Sequence, residues 1–444
     1  MAPSQTGYRR GVVTGNPSRR RGRPQGQLGI WASPDEEVVA ETPMRNPVSR
    51  KRTCALCTPG MLAWARTSMG LSVPMAAKKL DVSDERLSAW EAGTERPTIP
   101  QLRDCARVYK RPLPAFYLDT PPRDFTVRNS DFRRLPGEVP EDYTPEMRVA
   151  LRTAAYRREV ALELDPDPEP VELVGSATID VQAEALAATA RAALAVTMAE
   201  QASWSELYAP LNGWKNAIER LGILVFHFTD VGVDEVRGFS FGEPLFPVIG
   251  LNGGDSVHGR IFTLIHELGH LYLGEGGSCD LGDFTRPVEE RGPAEVYCNR
   301  FAGAVLVPRA ALLDDLAVRR ADAHTEWSDD ELHRLSSKFR VSREVVLRRL
   351  LILEKADQEF YQTRRDEYLA LPRRARDKKP APIPRPIMIV RDAGKPFARM
   401  VLDAYHADTI SAVSVADYLG TQLKHLPAIE KRLAGHDVLT GSAP

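Results

Sequence analysis

The 444-residue chain contains no apolar run approaching the ~20 residues that a bilayer-spanning helix needs, so no membrane partner is expected. Its arginine-rich start lacks the apolar stretch of a secretory signal, which leads to the expectation of a cytoplasmic protein. Cysteine is scarce: five residues, an odd number and scattered, exclude a disulfide framework and suit a reducing compartment. Cys54 and Cys57 form a lone C-x-x-C, and without a second pair at zinc-ribbon spacing they read as free thiols. A surplus of one charge is missing too. With 59 basic against 60 acidic residues the chain is no polyelectrolyte, and any nucleic-acid contact must come from a local patch.

What is present is a modular globular composition: 43% apolar, 27% charged and 34 prolines, at a length that predicts three or four units. Residues 1–55, with arginine clusters among glycine and proline and no period, read as a disordered basic tail. Patterned sequence starts at Pro59. Leu62, Ala65 and Arg66 suit a first helix, Ser72 caps a second through Ala76, Ala77 and Leu80, and Ser83 caps a third with Leu87 and Trp90 inward. Gly93 stops that helix, and Pro97 and Pro100 set up a fourth. Short helices around a three-residue turn are the DNA-binding helix-turn-helix layout, here over 56–120. Residues 121–175 read as a linker with a helix from Pro145 to Leu164. Helices near 180–196 and 205–220 then lead into three short strands, at "LGILVFHF", "RGFSFGE" and "PLFPVIGLN".

The chemistry sits in "RIFTLIHELGHLYLG". His266 and His270 are i and i+4 on a helix, ~40° apart around its axis, so both imidazoles can reach one ion. Ile261, Leu264, Ile265, Leu268 and Leu271 give the same helix a buried face, and burying two histidines with Glu267 is costly unless something satisfies all three. A catalytic zinc takes three protein ligands and keeps an open position. The third ligand should come from a second element: Glu295, at the start of a helix begun by Pro293, with Glu289 and Glu290 as rivals before it. Two further expectations are a substrate segment added along the strand "PVIGLN", and His258 as an oxyanion donor.

Two resemblances follow from these motifs. G-L-S, A-A-K-K-L, V-S, W-E-x-G and P-T over about 60 residues resemble the phage-repressor-like (XRE) helix-turn-helix family. That analogy places the helix Ser83–Glu91 in the major groove and makes Lys78, Lys79, Ser83, Arg86 and Ser88 the DNA-contact candidates; Asp84 and Glu85 beside them depart from what phosphates favour. "GFSFGEPLFPVIGLN", "RIFTLIHELGHLYL" and "EVYCNRFAGAVLVP" resemble the ImmA/IrrE family of zinc metallopeptidases. The resemblance implies His266, His270 and Glu295 as ligands of Zn2+ and Glu267 as general base, with Cys298 standing where the family often has alanine.

The expected fold class is multidomain and mainly α with a small β-sheet: an all-α helix-turn-helix bundle, an α+β zincin-like metallopeptidase domain over 176–310, and C-terminal helical modules. "SDDELHRLSSKFRVSREVVLRRLLIL" repeats the helix-turn-helix logic within 311–375, "PRRARDKKPAPIPRP" reads as a linker, and 376–444 as a C-terminal helical module. By resemblance the whole implies a regulatory zinc metallo-endopeptidase that binds DNA and cleaves a repressor or antitoxin-like protein, with a homodimer as a possible assembly. The alternative is a DNA-binding regulator or antitoxin whose peptidase-like domain senses or binds a partner without turnover.

Overall fold

The computed structural model describes residues 54–122, 143–274, 278–279, 292–370 and 383–434. Of the expected tail over 1–55, residues 1–53 lie outside the described residues, as do the stretch 123–142, Glu289 and Glu290, and residues 372–382 of the linker. Ala55 is instead buried in the core of the first helices, and the linker's Arg385 and Pro386 open a helix. The first four helices are α1 (Pro59–Thr67), α2 (Val73–Leu80), α3 (Asp84–Ala92) and α4 (Ile99–Val108). Local chemistry sets their limits: the hydroxyls of Ser72, Ser83 and Thr98 each accept from the N–H three residues on, and Gly93, at a φ of 77°, ends α3. Leu62, Ala65, Leu87, Trp90 and Leu102 share one core. Arg66 ties α1 to α3, its Nε and Nη2 donating to the Glu91 carboxylate at 2.7 and 2.9 Å and its Nη1 to the Leu71 carbonyl.

After α5 (Pro145–Leu164), α6 (Ala183–Leu194), α7 (Met198–Ser203) and α8 (Ala209–Glu219) come β1 (Leu224–Phe228), β2 (Gly238–Phe241) and β3 (Val248–Asn252). Then follow α9 (Val257–Leu273), β4 (Ser278–Cys279) and α10 (Pro293–Leu306). The sheet order is β1-β3-β2-β4, with β1 parallel to β3 and the other pairs antiparallel. α11 (Arg309–Leu313), α12 (Leu316–Arg320), α13 (Asp329–Phe339), α14 (Arg343–Ile352) and α15 (Gln358–Ala370) come next, and α16 (Arg385–Ala393), α17 (Lys395–His406), α18 (Ala412–Tyr418) and α19 (Leu426–Ala434) complete the described chain. The expected turn at "RVS" is there: Arg340 is left-handed and Ser342 caps α14. The protein is thus mainly helical around a small sheet, and no described helix is long and apolar enough to cross a membrane.

Strand alternation splits the sheet between two cores. Val225, Ile249 and Leu251 face inward onto α9, and with α6, α8, α10 and α13–α15 they form the larger core. Phe226, Phe228, Phe239 and Phe241 face outward. That outer face is covered by α5 and by α16–α19, through Met147, Leu151, Ile389, Phe397, Val401 and Ile429. The helix expected inside a linker and the helices expected as a C-terminal module therefore share a core with the strands. Polar contacts reinforce the join: the Nδ1–H of His227 donates to the Arg391 carbonyl at 3.1 Å and Tyr156 to Asp417 at 2.9 Å.

Inward positions on β2 are small. A Cβ on Gly238 would stand 2.3 Å from the Cγ2 of Thr263 on α9, so only glycine lets that helix lie so close to the strand. Close approach here places the middle of α9 directly against β2.

Candidate metal centre

α9 starts at Ser256, whose hydroxyl accepts from Gly259 N, and stops at Gly274, left-handed at a φ of 66°. Between these ends His266, Glu267 and His270 are buried on one side of a helix packed against the sheet. α10 crosses α9 at the glycine of H-E-L-G-H: a Cβ on Gly269 would sit 3.0 Å from Phe301 and 3.1 Å from Cys298 Sγ. Pro293 opens α10 and puts Glu295 in its first turn, and the crossing brings that turn over the two histidines.

The result is a tight group. His266 Nε2 and His270 Nε2 are 3.1 Å apart, and the Glu295 carboxylate places Oε2 3.1 Å from the first and Oε1 2.9 Å from the second. Ligand atoms of these three side chains lie within 4.8 Å of one another, a set that could hold a metal ion. Two lone-pair nitrogens facing each other at such a distance inside a protein are unfavourable unless a proton or a cation lies between them. Burial by itself would raise the Glu295 carboxyl, but His266 and His270 draw it below the usual carboxylate range.

Glu267, one residue along, points to the sheet. Ser240 on β2 donates its hydroxyl proton to Glu267 Oε2 at 2.7 Å, both groups being buried, while Oε1 has no hydrogen-bond partner among the described residues. Desolvation pushes the Glu267 carboxyl up to about 8, against the opposing pull of His270 and of the Ser240 hydroxyl. Ser240 was not singled out from the sequence. The available signal was alternation: in "GFSF" the two phenylalanines occupy one face, so Gly238 and Ser240 must occupy the one that meets α9.

Other expectations fare differently. β3, the strand "PVIGLN" expected to receive a substrate segment, is interior and paired along its length with β1 and β2, so it has no edge to offer. The outer strand next to β2, which carries Ser240, is the two-residue β4; it pairs only with Gly238 and Phe239, so among the described residues Ser240 and Phe241 have no strand neighbour on that side. His258 is exposed in the first turn of α9, eight residues or about 12 Å of helix before His266, too far for an oxyanion donor. Cys54 is exposed, Cys57 is buried in the first core, and both are free thiols.

Of the DNA-contact candidates, Ser83 caps α3, and Ser83, Arg86 and Ser88 are all exposed along that helix, together with Asp84 and Glu85. Arg86 leans on the Trp90 ring and lies 3.7 Å from Glu95. Lys78 and Lys79 are exposed on α2, Lys79 standing 3.8 Å from Glu146 of α5.

Comparison with known families matches both units. Residues 218–351 match the IrrE N-terminal-like domain, a peptidase family. Residues 62–116 match a helix-turn-helix family. The IrrE-like match takes in β1–β3, α9 and α10, hence all of His266, Glu267, His270 and Glu295. The chain carries a DNA-binding-type domain ahead of a peptidase-type domain, as the motif resemblances implied. No curated protein matches the chain at a significant level.

Proposed function

We propose that this chain is a zinc-dependent endopeptidase, brought to its target by the helix-turn-helix domain, that cuts a repressor or antitoxin-like protein and so controls transcription. The observation that carries this reading is the meeting of His266, His270 and Glu295 at 2.9–3.1 Å with a buried carboxylate, Glu267, held beside them. His266, His270 and Glu295 would hold the zinc ion: two imidazoles with one carboxylate are the donor set of a catalytic zinc, and their facing ligand atoms already stand 2.9–3.1 Å apart. When bound, zinc acidifies water and polarises a peptide carbonyl. The chain's own part is proton transfer: Ser240 fixes Glu267 through Oε2, leaving Oε1 to take the proton of the attacking water and pass it to the departing amine. A substrate segment held beside β2 and β4 would present its carbonyl on the side where Glu267 lies.

Metal analysis of the wild type beside Glu267→Gln and Glu295→Gln, with cleavage assays on repressor-like proteins encoded next to its gene, tests this. One zinc per chain in the wild type and in Glu267→Gln, a reduced content in Glu295→Gln, and cleavage by the wild type alone are expected. Zinc retained in all three proteins and no partner cut would move the assignment to a regulator that uses its metal for structure or sensing.

A further inference from the structure

A cavity of about 540 Å³ lies where the helix-turn-helix domain, α5 and the outer face of the sheet meet. Its size is that of small-molecule sites, and domain junctions are where such sites form. Phe226, Phe228 and Phe239 give it an aromatic wall, with Leu71 from the helix-turn-helix side and Val149 from α5.

Arg157 of α5 stands in this cavity. Its Nη1 donates to the Asp392 carbonyl at 2.6 Å and its Cζ lies 5.3 Å from the centre of the Phe226 ring. That employs one of five guanidinium N–H groups. Among the described residues no carboxylate forms an ion pair with it, and the Asp392 carboxylate is taken by Arg391 Nε at 2.6 Å. Desolvation, partly offset by Asp392, pushes the Arg157 guanidinium down to about 10, the mark of a cation short of a counter-ion.

We propose that the cavity binds a small monocarboxylate with an apolar body, its carboxylate forked on Arg157 and its body against the phenylalanines. Four basic and three acidic side chains line the site, so a single negative charge balances it and a phosphate dianion exceeds the balance. A planar carboxylate also matches the two-pronged geometry of a guanidinium. Because the walls come from both the helix-turn-helix domain and the sheet, the ligand stabilises their junction by the free energy with which it binds. The triad is on the opposite face of the same sheet, so the site stands or falls independently of the metal chemistry.

Calorimetric titration of the full-length protein with octanoate, 3-phenylpropionate and the neutral octanamide tests the proposal. At least one carboxylate should bind one to one, octanamide should not, and Arg157→Met should weaken the carboxylate by about tenfold or more. Thr153→Phe, which fills the cavity from α5 and leaves Arg157 in place, should weaken it as much. The proposal is overturned if neither carboxylate binds the folded wild type at about 1 mM, or if a folded Arg157→Met binds as tightly as the wild type. Should Arg157→Met fail to fold, equal binding by Thr153→Phe, or equal binding of octanamide, overturns it.

Discussion

Glu267 should make the metal-free protein lose stability as pH rises, a loss that can be assigned to one carboxyl. Its pKa is near 4.5 when the chain is unfolded and about 8 when folded, raised first by desolvation. Between those values the folded protein holds a proton that the unfolded chain has released. The contribution is therefore complete below about pH 4.5, declines by about 1.4 kcal/mol per pH unit, and is gone above about pH 8. Across the window this is on the order of a few kcal/mol. Glutamine cannot titrate, so Glu267→Gln should lack this slope, and subtracting its curve from the wild type removes what His270 and Glu295 add to both. Hydrogen exchange of α9 amides in chelator, at pH values from about 5 to 9, reads the local opening free energy without assuming that the whole chain unfolds at once. Ser240→Ala removes the hydroxyl that favours the ionised form, so its decline should continue to higher pH than that of the wild type. Parallel wild-type and Glu267→Gln curves across this range would refute the reasoning.

Two further substitutions probe the packing. Gly250→Ala puts a Cβ 2.3 Å from the Phe239 ring in the interior strand, and should cost about 1–3 kcal/mol in denaturant unfolding; an unchanged midpoint would show that the ring moves freely. Arg66→Met strips the part-buried Glu91 of both its donors, so it should destabilise the helix-turn-helix domain by about 2 kcal/mol, most of which Glu91→Gln should restore in the double variant, as judged by thermal melts.

The elements at the site were legible because the signals that shape them are local. Ser256, the apolar stripe of α9 and Gly274 lie within one helix, and Pro293 and Glu295 within one turn of another. Partner choice was not legible, since it depends on residues far apart in the chain. Phe226 meets Phe397 with ring centres 5.9 Å apart, and nothing near either residue announces the other. For the same reason the interior position of β3 escaped a reading that knew only that three short strands stood together. Ser240 was visible as a serine in a strand, but its role required knowing which helix lies across that strand.

The covered outer face of the sheet extends the structural unit beyond the residues that match the peptidase family. Phe226, Phe239 and Phe241 lie within the matched span 218–351, yet the helices that cover them, α5 and α16–α19, lie before and after it. A fragment trimmed to the matched residues would carry the triad and present a bare aromatic sheet to water, inviting aggregation. The span that keeps both faces of the sheet covered runs instead from α5 to α19, so helices before and after the matched residues hold together a site that lies between them.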